Sequence, residues 1–293
     1  MVIWMKNPLR AMLLFAGMTL LQPGETPGGD KKELEALLQK GTVALRAGKT
    51  EEALALAREA VGIAPREPRA YLFRGAVHAA QRHHADAIAD FDKCLQLDPA
   101  CADAWQRRGE EHFKRAEIDP SLNDFDRFLE LRPEARPGHW QRGISLFYAG
   151  QFKEGAEQFK AGDKIFANDV ENAVWHYLCN VHVFGVEQAR RSLLTIGKDR
   201  RVPLMVIYDL FAGRAKPEDV LAAVREGDPS SPELKTRLFY AHLYLGLYHD
   251  ATGDPKKALQ HLDQIAEDQG IGGYMGDVAH VHRQLLAKKA TKN

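Results

Sequence analysis

The chain has 293 residues, 45% of them hydrophobic, and its 40 Lys and Arg balance its 40 Asp and Glu to a net charge of zero. No basic stripe runs along it, so it lacks the electrostatic footprint of a nucleic-acid binder. Its three cysteines, an odd count, do not make a disulfide framework.

Lys6 and Arg10 flank an apolar run over residues 11–21, which ends in Gln22-Pro23-Gly24. A positive flank, a short apolar core and polar turn-formers make the layout of a secretory signal. The run is too short to span a bilayer comfortably. Residues 1–21 are therefore expected to be a signal-like leader that sends the chain to the periplasm or cell envelope. Left uncleaved, it would associate the protein with the membrane, and no small-x-small cleavage site stands out. An amphipathic or disordered leader on a cytosolic protein is the alternative. Residues 22–31 read as a flexible Pro/Gly linker.

Beyond it, Gly41, Gly75, Gly109 and Gly143 follow one another at intervals of 34 residues. Leu37, Tyr71 and Trp105 stand four residues before the first three glycines, Ala53 and Ala87 twelve residues after the first two, and Pro65, Pro99 and Pro133 close three units. Asp90-Phe91-Asp92 recurs as Asp124-Phe125-Asp126. This spacing resembles the tetratricopeptide repeat (TPR), a helix-turn-helix unit. Such a unit cannot bury its own apolar face, so copies stack into a solenoid whose inner surface holds a partner. With Leu34 at position 1, the glycine falls at position 8, where a side chain would force the two helices apart. Position 20 takes Ala53, Ala87 and Ser121, position 24 takes Ala57, Phe91 and Phe125, and position 27 takes Ala60, Cys94 and Phe128.

The expected fold is an all-α TPR α-solenoid of about six to seven helix-turn-helix units, with a C-terminal capping helix, over residues 32–293. Clear units are 34–67, 68–101, 102–135, 136–169 and 239–272; units 170–203 and 204–238 are degenerate. The fourth unit has Gly155 and Gly162 where a small and a large residue belong. The fifth has Tyr177 in place of the glycine but keeps Ala189, Leu193 and Ile196 in phase. The sixth has shorter helices, the second opening at Pro217 with Glu218 and Asp219 behind it, a good helix start. The last clear unit carries Gly246, Ala258, Leu262 and Ile265, and residues 274–289 read as the final helix.

In a solenoid of this kind, positions 2, 5, 6, 9, 12 and 13 of each first helix face inward. Unit one offers Glu35, Leu38, Thr42 and Arg46 there. The candidate partner groove continues with Arg69, Leu72 and Phe73, then Gln106, Arg107, Glu110 and Phe113, then Trp140, Gln141, Ile144, Phe147 and Tyr148. The fourth unit is the most aromatic, and aromatics with Arg are the usual anchors of interfaces. Positions 5 and 9 lack the Lys, Asn and Arg with which chaperone-tail repeats clamp a terminal carboxylate.

Catalytic signals are thin. His176, Cys179 and His182 lie along one helix face, and His280 and His282 follow. Spacing of three within one helix offers a partial metal site at most, and His-x-His turns its rings about 200° apart. Packing histidines are the expectation, with no cofactor and no metal. His78, His112 and His249 occupy position 11, where a local hydrogen bond is expected, and His83-His84 reads as an exposed turn. Arg190-Arg191 and residues 198–201 read as solvated ends or turns.

Residues 142–150, Trp175-His176-Tyr177-Leu178 and residues 239–254, with the order of strong early repeats, degenerate middle and restored late repeat, resemble the NlpI family of bacterial TPR lipoproteins. The resemblance implies an envelope protein that docks cell-wall hydrolases and their partners as a homodimer. That family's lipid-modified cysteine has no counterpart at Leu20-Leu21-Gln22-Pro23. The functional expectation is a non-catalytic adaptor that binds a protein or peptide in the cell envelope. The alternatives are an envelope enzyme accessory or metal-dependent hydrolase using the His/Cys set of the C-terminal half, and a cytosolic assembly scaffold.

Overall fold

The repeat interval becomes paired helices in a computed structural model that describes residues 28–266, 271 and 273–291. The leader, and the linker up to residue 27, lie outside the described residues. Unit one pairs α1 (Gly28–Arg46) with α2 (Thr50–Ile63), unit two α3 (Pro68–Ala80) with α4 (His84–Leu97), and unit three α5 (Ala102–Lys114) with α6 (Ile118–Leu131). A 3₁₀ turn, Pro133–Gly138, leads into α7 (Trp140–Tyr148) and α8 (Phe152–Ala161). Helix α1 thus begins inside the stretch expected to be linker.

In the first four units the glycine at position 8 faces one particular ring, and in the last clear unit Gly246 faces Leu262. A Cβ at Gly75 would lie 2.6 Å from Phe91, at Gly109 2.9 Å from Phe125, and at Gly143 2.6 Å from Phe159. Unit one has only Ala57 at position 24, and there the space beside Gly41 is filled by Phe73 of the next unit, 2.5 Å from a built Cβ. The aromatic at position 4 ties its unit to the one before. The Tyr71 hydroxyl donates to the Pro65 carbonyl at 3.1 Å, and the Trp105 indole N–H donates to the Pro99 carbonyl at 2.9 Å.

The repeated aspartates form a ladder with the arginines at position 7. Arg74 holds Asp90 at 2.6 Å; Arg108 holds Asp124 at 2.7 Å and reaches back to Asp92 at 2.5 Å; Arg142 holds Asp126 at 2.6 Å. Asp90 and Asp124 are buried, so Arg74 and Arg108 satisfy charges that have left water, whereas Asp126 is only half-buried. Between paired helices the backbone turns left-handed at one register: Gly48, Arg82, Ala116, Gly150 and, in the last unit, Gly253 all have positive φ.

The degenerate half departs further from the pattern than its spacing suggests. Helix α9 (Val170–Phe184) is long and mostly buried, but its partner α10 (Val186–Arg191) is a single short helix. Leu193 and Ile196 fall after α10, in a segment without helix, although they keep the phase of helix positions. Unit six is α11 (Leu204–Phe211) and α12 (Pro217–Ala223), the latter capped by the Asp219 carboxylate on the Lys216 N–H at 2.8 Å. Helix α13 (Ser231–Ala251) starts well ahead of Phe239 and packs on α14 (Pro255–Asp263). The last helix, α15 (Tyr274–Ala290), packs on α14 and also on α5. Cys94, Cys101 and Cys179 are free thiols.

Candidate binding surface

The first helices of successive units line the inner face. In units one to three its exposed side chains are Glu35, Arg46, Arg69 and Arg107, while Leu38, also expected to face inward, is buried. Arg69 pairs with Glu35 at 2.5 Å across one repeat. Gln106 donates to Glu110 and to Gln141, both at 2.9 Å, and Gln141 also donates to Glu110 at 2.9 Å. Leu72 is half-buried; Phe73 is half-buried as well, but its ring fills the space beside Gly41 and serves the core. His139 ends this network. Its Nε2–H donates to Gln106 Oε1 at 2.7 Å, and its Nδ1 accepts the Arg142 N–H at 3.1 Å, capping α7. Burial lowers its pKa to about 4, which keeps the ring neutral in this double role.

In units three and four the inner wall is aromatic, and α15 lies against it. Tyr274 stacks on Phe113 with centroids 5.2 Å apart and meets Trp140 edge-on at 5.1 Å. Further along, His282 packs on Tyr148 at 5.8 Å. Asp277 of α15 takes an ion pair from Arg82 at 2.8 Å. Phe113, Ile144 and Phe147 are buried, Phe113 against Tyr274 of α15. Phe147 meets Trp175 at 5.4 Å and Phe152 at 5.6 Å, inside the largest apolar core. These three were expected to face a partner and are core residues instead, Phe113 through α15 and Phe147 through α8 and α9. Trp140, Gln141 and Tyr148 are half-buried. Sequence periodicity gives the direction a side chain points on its own helix, not which distant helix arrives to cover it.

At the start of α9 a group of carboxylates gathers around one arginine. Arg201 pairs with Asp169 at 2.8 Å, Glu171 at 2.5 Å and Asp199 at 2.6 Å. Arg201 is exposed and lies outside any helix, as expected of a turn residue, and its guanidinium also ties together the entrance to unit five. The Tyr244 hydroxyl donates to Glu171 at 2.6 Å. Burial raises the Glu171 carboxyl above its ordinary value. Beside this group a cavity of about 190 Å³ opens among Trp140, Phe159, Phe166 and Trp175.

Within the His/Cys set of the C-terminal half, His176, Cys179 and His182 do not converge, whereas the Nδ1 atoms of His242 and His261 lie 3.0 Å apart and His249 stacks on His261 at 5.4 Å. His176 is buried and bonded to Asn180, Cys179 is buried beside Gly155, and exposed His182 stacks on Phe152 at 4.2 Å. Burial lowers His176 to about 4 and raises the Cys179 thiol. His84 is not simply exposed: it bonds buried Glu111 of the next unit at 2.6 Å. His112 makes the expected local bond, to Glu117 at 2.6 Å, whereas His78 leaves Nδ1 buried and unpartnered. The ligand atoms of His78, His83 and Asp86 lie within 4.8 Å of one another, a grouping the sequence reading missed because a turn brings it together. Among the described residues no helix is long and apolar enough to cross a membrane.

Residues 38–105 match the tetratricopeptide repeat family. No curated protein matches the chain. Among solved structures, a tetratricopeptide repeat protein from Parabacteroides merdae ATCC 43184 is similar with a TM-score of 0.55 and 14% identity, over 85% of this chain and 98% of that one. MamA 41-end from Desulfovibrio magneticus RS-1 is similar with a TM-score of 0.50 and 19% identity, over 54% and 90%. The first TPR of Spaghetti (RPAP3), bound to the HSP90 peptide SRMEEVD, aligns over 35% of this chain and 81% of its own, with 24% identity and a TM-score of 0.34. The paired helices and the 34-residue glycine register give the chain the fold of a tetratricopeptide-repeat solenoid, and residues 38–105 match that repeat family.

Proposed function

We propose that this protein is a non-catalytic adaptor that binds an extended or helical segment of a protein partner along its inner face. The observation that carries the reading is that this face already holds a helix: α15 lies on the aromatic wall of units three and four through Tyr274, while Glu35, Arg46, Arg69 and Arg107 of units one to three remain exposed. A partner segment there meets Arg69, Leu72, Arg107 and Glu110, and ends at the aromatic cavity beside α9. Peptides that lie in grooves in this way bind through a few anchors backed by hydrogen bonds.

The leader layout supports export to the cell envelope. Cell-wall hydrolases and a second copy of the chain are the partners to test first, following the family resemblance. The experiment is capture from envelope extract by the wild type and by the double variant Leu72→Asp, Arg107→Glu, with circular dichroism on both. The expected result is a discrete partner held by the wild type and lost by an equally folded variant. Equal capture by both proteins would refute the groove.

A further inference from the structure

The cavity beside α9 has a chemistry that selects its occupant. Trp140, Phe159, Phe166 and Trp175 supply its aromatic surface, and Met275 of α15 closes one side. Its polar lining is Asp169, Glu171 and Asn172, with no lysine, arginine or histidine among them. Asn172 donates its amide N–H to the Phe159 carbonyl at 3.1 Å and keeps Oδ1 buried without a partner. The lining therefore offers acceptors with no cation among them. Arg201 holds the carboxylates, but one guanidinium faces three of them, so negative charge is in surplus. Nor does the start of α9 oppose a cation with bare N–H groups: Asp169 accepts the Glu171 N–H at 2.9 Å, and Asp199 accepts the Val170 N–H at 3.2 Å.

Size narrows the choice further. A volume of about 190 Å³ lies below the roughly 300–1,000 Å³ of small-molecule sites. It suits one long side chain. Aromatic faces attract cations through their quadrupole, and more strongly where water is excluded.

We propose that this cavity takes a single basic side chain, lysine or arginine, from a bound peptide, its alkyl stem against Trp140 and Trp175 and its cationic head toward Asp169 and Glu171. The assignment rests on the reading of the inner face as a peptide-binding surface. It adds the partner chemistry: a segment with a positive charge where it passes α9.

The test uses the full chain and blocked glycine pentapeptides with lysine, norleucine or glutamate at the centre, followed by tryptophan fluorescence and calorimetry. The lysine peptide is expected to bind saturably and about tenfold tighter than the norleucine peptide, which has the stem without the charge; the glutamate peptide is expected not to bind. Asp169→Asn is expected to remove that tenfold preference. Trp140→Leu, on the half-buried rim, is expected to weaken the lysine peptide severalfold and serves if Asp169→Asn unsettles α9. Equal binding of lysine and norleucine peptides, or a preference that survives both substitutions, overturns the assignment. So does n-butylammonium binding as tightly as the lysine peptide, since the site would then serve free amines. Leu72 and Arg107 lie outside the cavity, so the two readings fail separately. Partner capture lost in their double variant without lysine preference in the wild type sinks the cavity alone; lysine preference with unchanged capture sinks the groove alone.

Discussion

Tyr274 of the last helix stacks on Phe113 of the third unit, 5.2 Å between centroids and 21° from parallel. Residues from distant parts of the sequence thereby share one apolar cluster, and the C-terminal helix becomes a wall of the inner face instead of only an end cover. Solenoid units ordinarily contact their neighbours alone, so this contact couples the last helix to the middle of the stack. Truncating Tyr274→Ala is expected to cost about 2–4 kcal/mol by urea unfolding, near the range for large-to-small core changes. Hydrogen exchange should quicken in α15, α5 and α7 together. Tyr274→Phe should be neutral or slightly stabilising, because the Tyr274 hydroxyl is buried without a partner. Quickened exchange confined to α15 would show that the stack does not feel the helix.

Arg108 is expected to be the costliest arginine to remove. It bonds two aspartates from successive units, and the Asp124 side chain is only 5% exposed. Arg108→Met leaves that carboxylate buried with only His112 Nε2, 3.9 Å away, beside it, a loss of about 3 kcal/mol. Arg108→Met combined with Asp124→Leu should recover much of it, since the buried charge goes too. A double variant no more stable than the single one would place the energy in packing.

The turn at position 15 offers a test in two directions. Ala116 has a φ of +57°, a conformation that glycine supplies in the equivalent places Gly48 and Gly150. Ala116→Gly is expected to raise stability slightly, by about 0.5 kcal/mol, the relief of left-handed strain exceeding the added freedom of the unfolded chain. Gly150→Ala is expected to lower it by about 1 kcal/mol. Both are read as shifts in thermal midpoint, and shifts of the same sign would contradict the account.

Acid should weaken the fold through its buried histidines. His139, His176 and His282 have pKa values lowered to about 4 by burial, against an ordinary value of 6.5. The folded state holds them neutral, whereas the unfolded chain takes up protons first. Their stabilising contribution is thus full above about pH 6.5 and is lost as the pH falls toward 4, by at most about 1.4 kcal/mol per pH unit for each ring. His139→Asn retains a residue able to cap α7 and should flatten the pH dependence of urea unfolding by close to one proton. An unchanged slope would show that His139 is not a titrating contributor.

The early units were legible because their geometry is local. Gly75 and Phe91 sit sixteen residues apart and must touch if two helices are to pair, so spacing alone reveals them. The same holds for Pro217 at the start of α12, where φ and the missing N–H act within one turn. Phase was misleading at Leu193 and Ile196, where the apolar interval continued after the helix had ended. Asp199 is a sequence neighbour of Arg201, but Asp169 and Glu171 lie at the start of α9, some thirty residues earlier, and spacing gave no signal of them.

By itself, then, the amino-acid order determined the helix pairs of the first four units and their repeat length. These follow from steric fit between residues a fixed short distance apart. Only the tertiary structure decided that α15 would settle on Phe113 and Trp140, turning expected contact residues into core, and that Asp169, Glu171 and Trp175 would enclose a cavity. Those outcomes depend on the accumulated curvature of many stacked units, a sum of small rotations that no short stretch of sequence encodes.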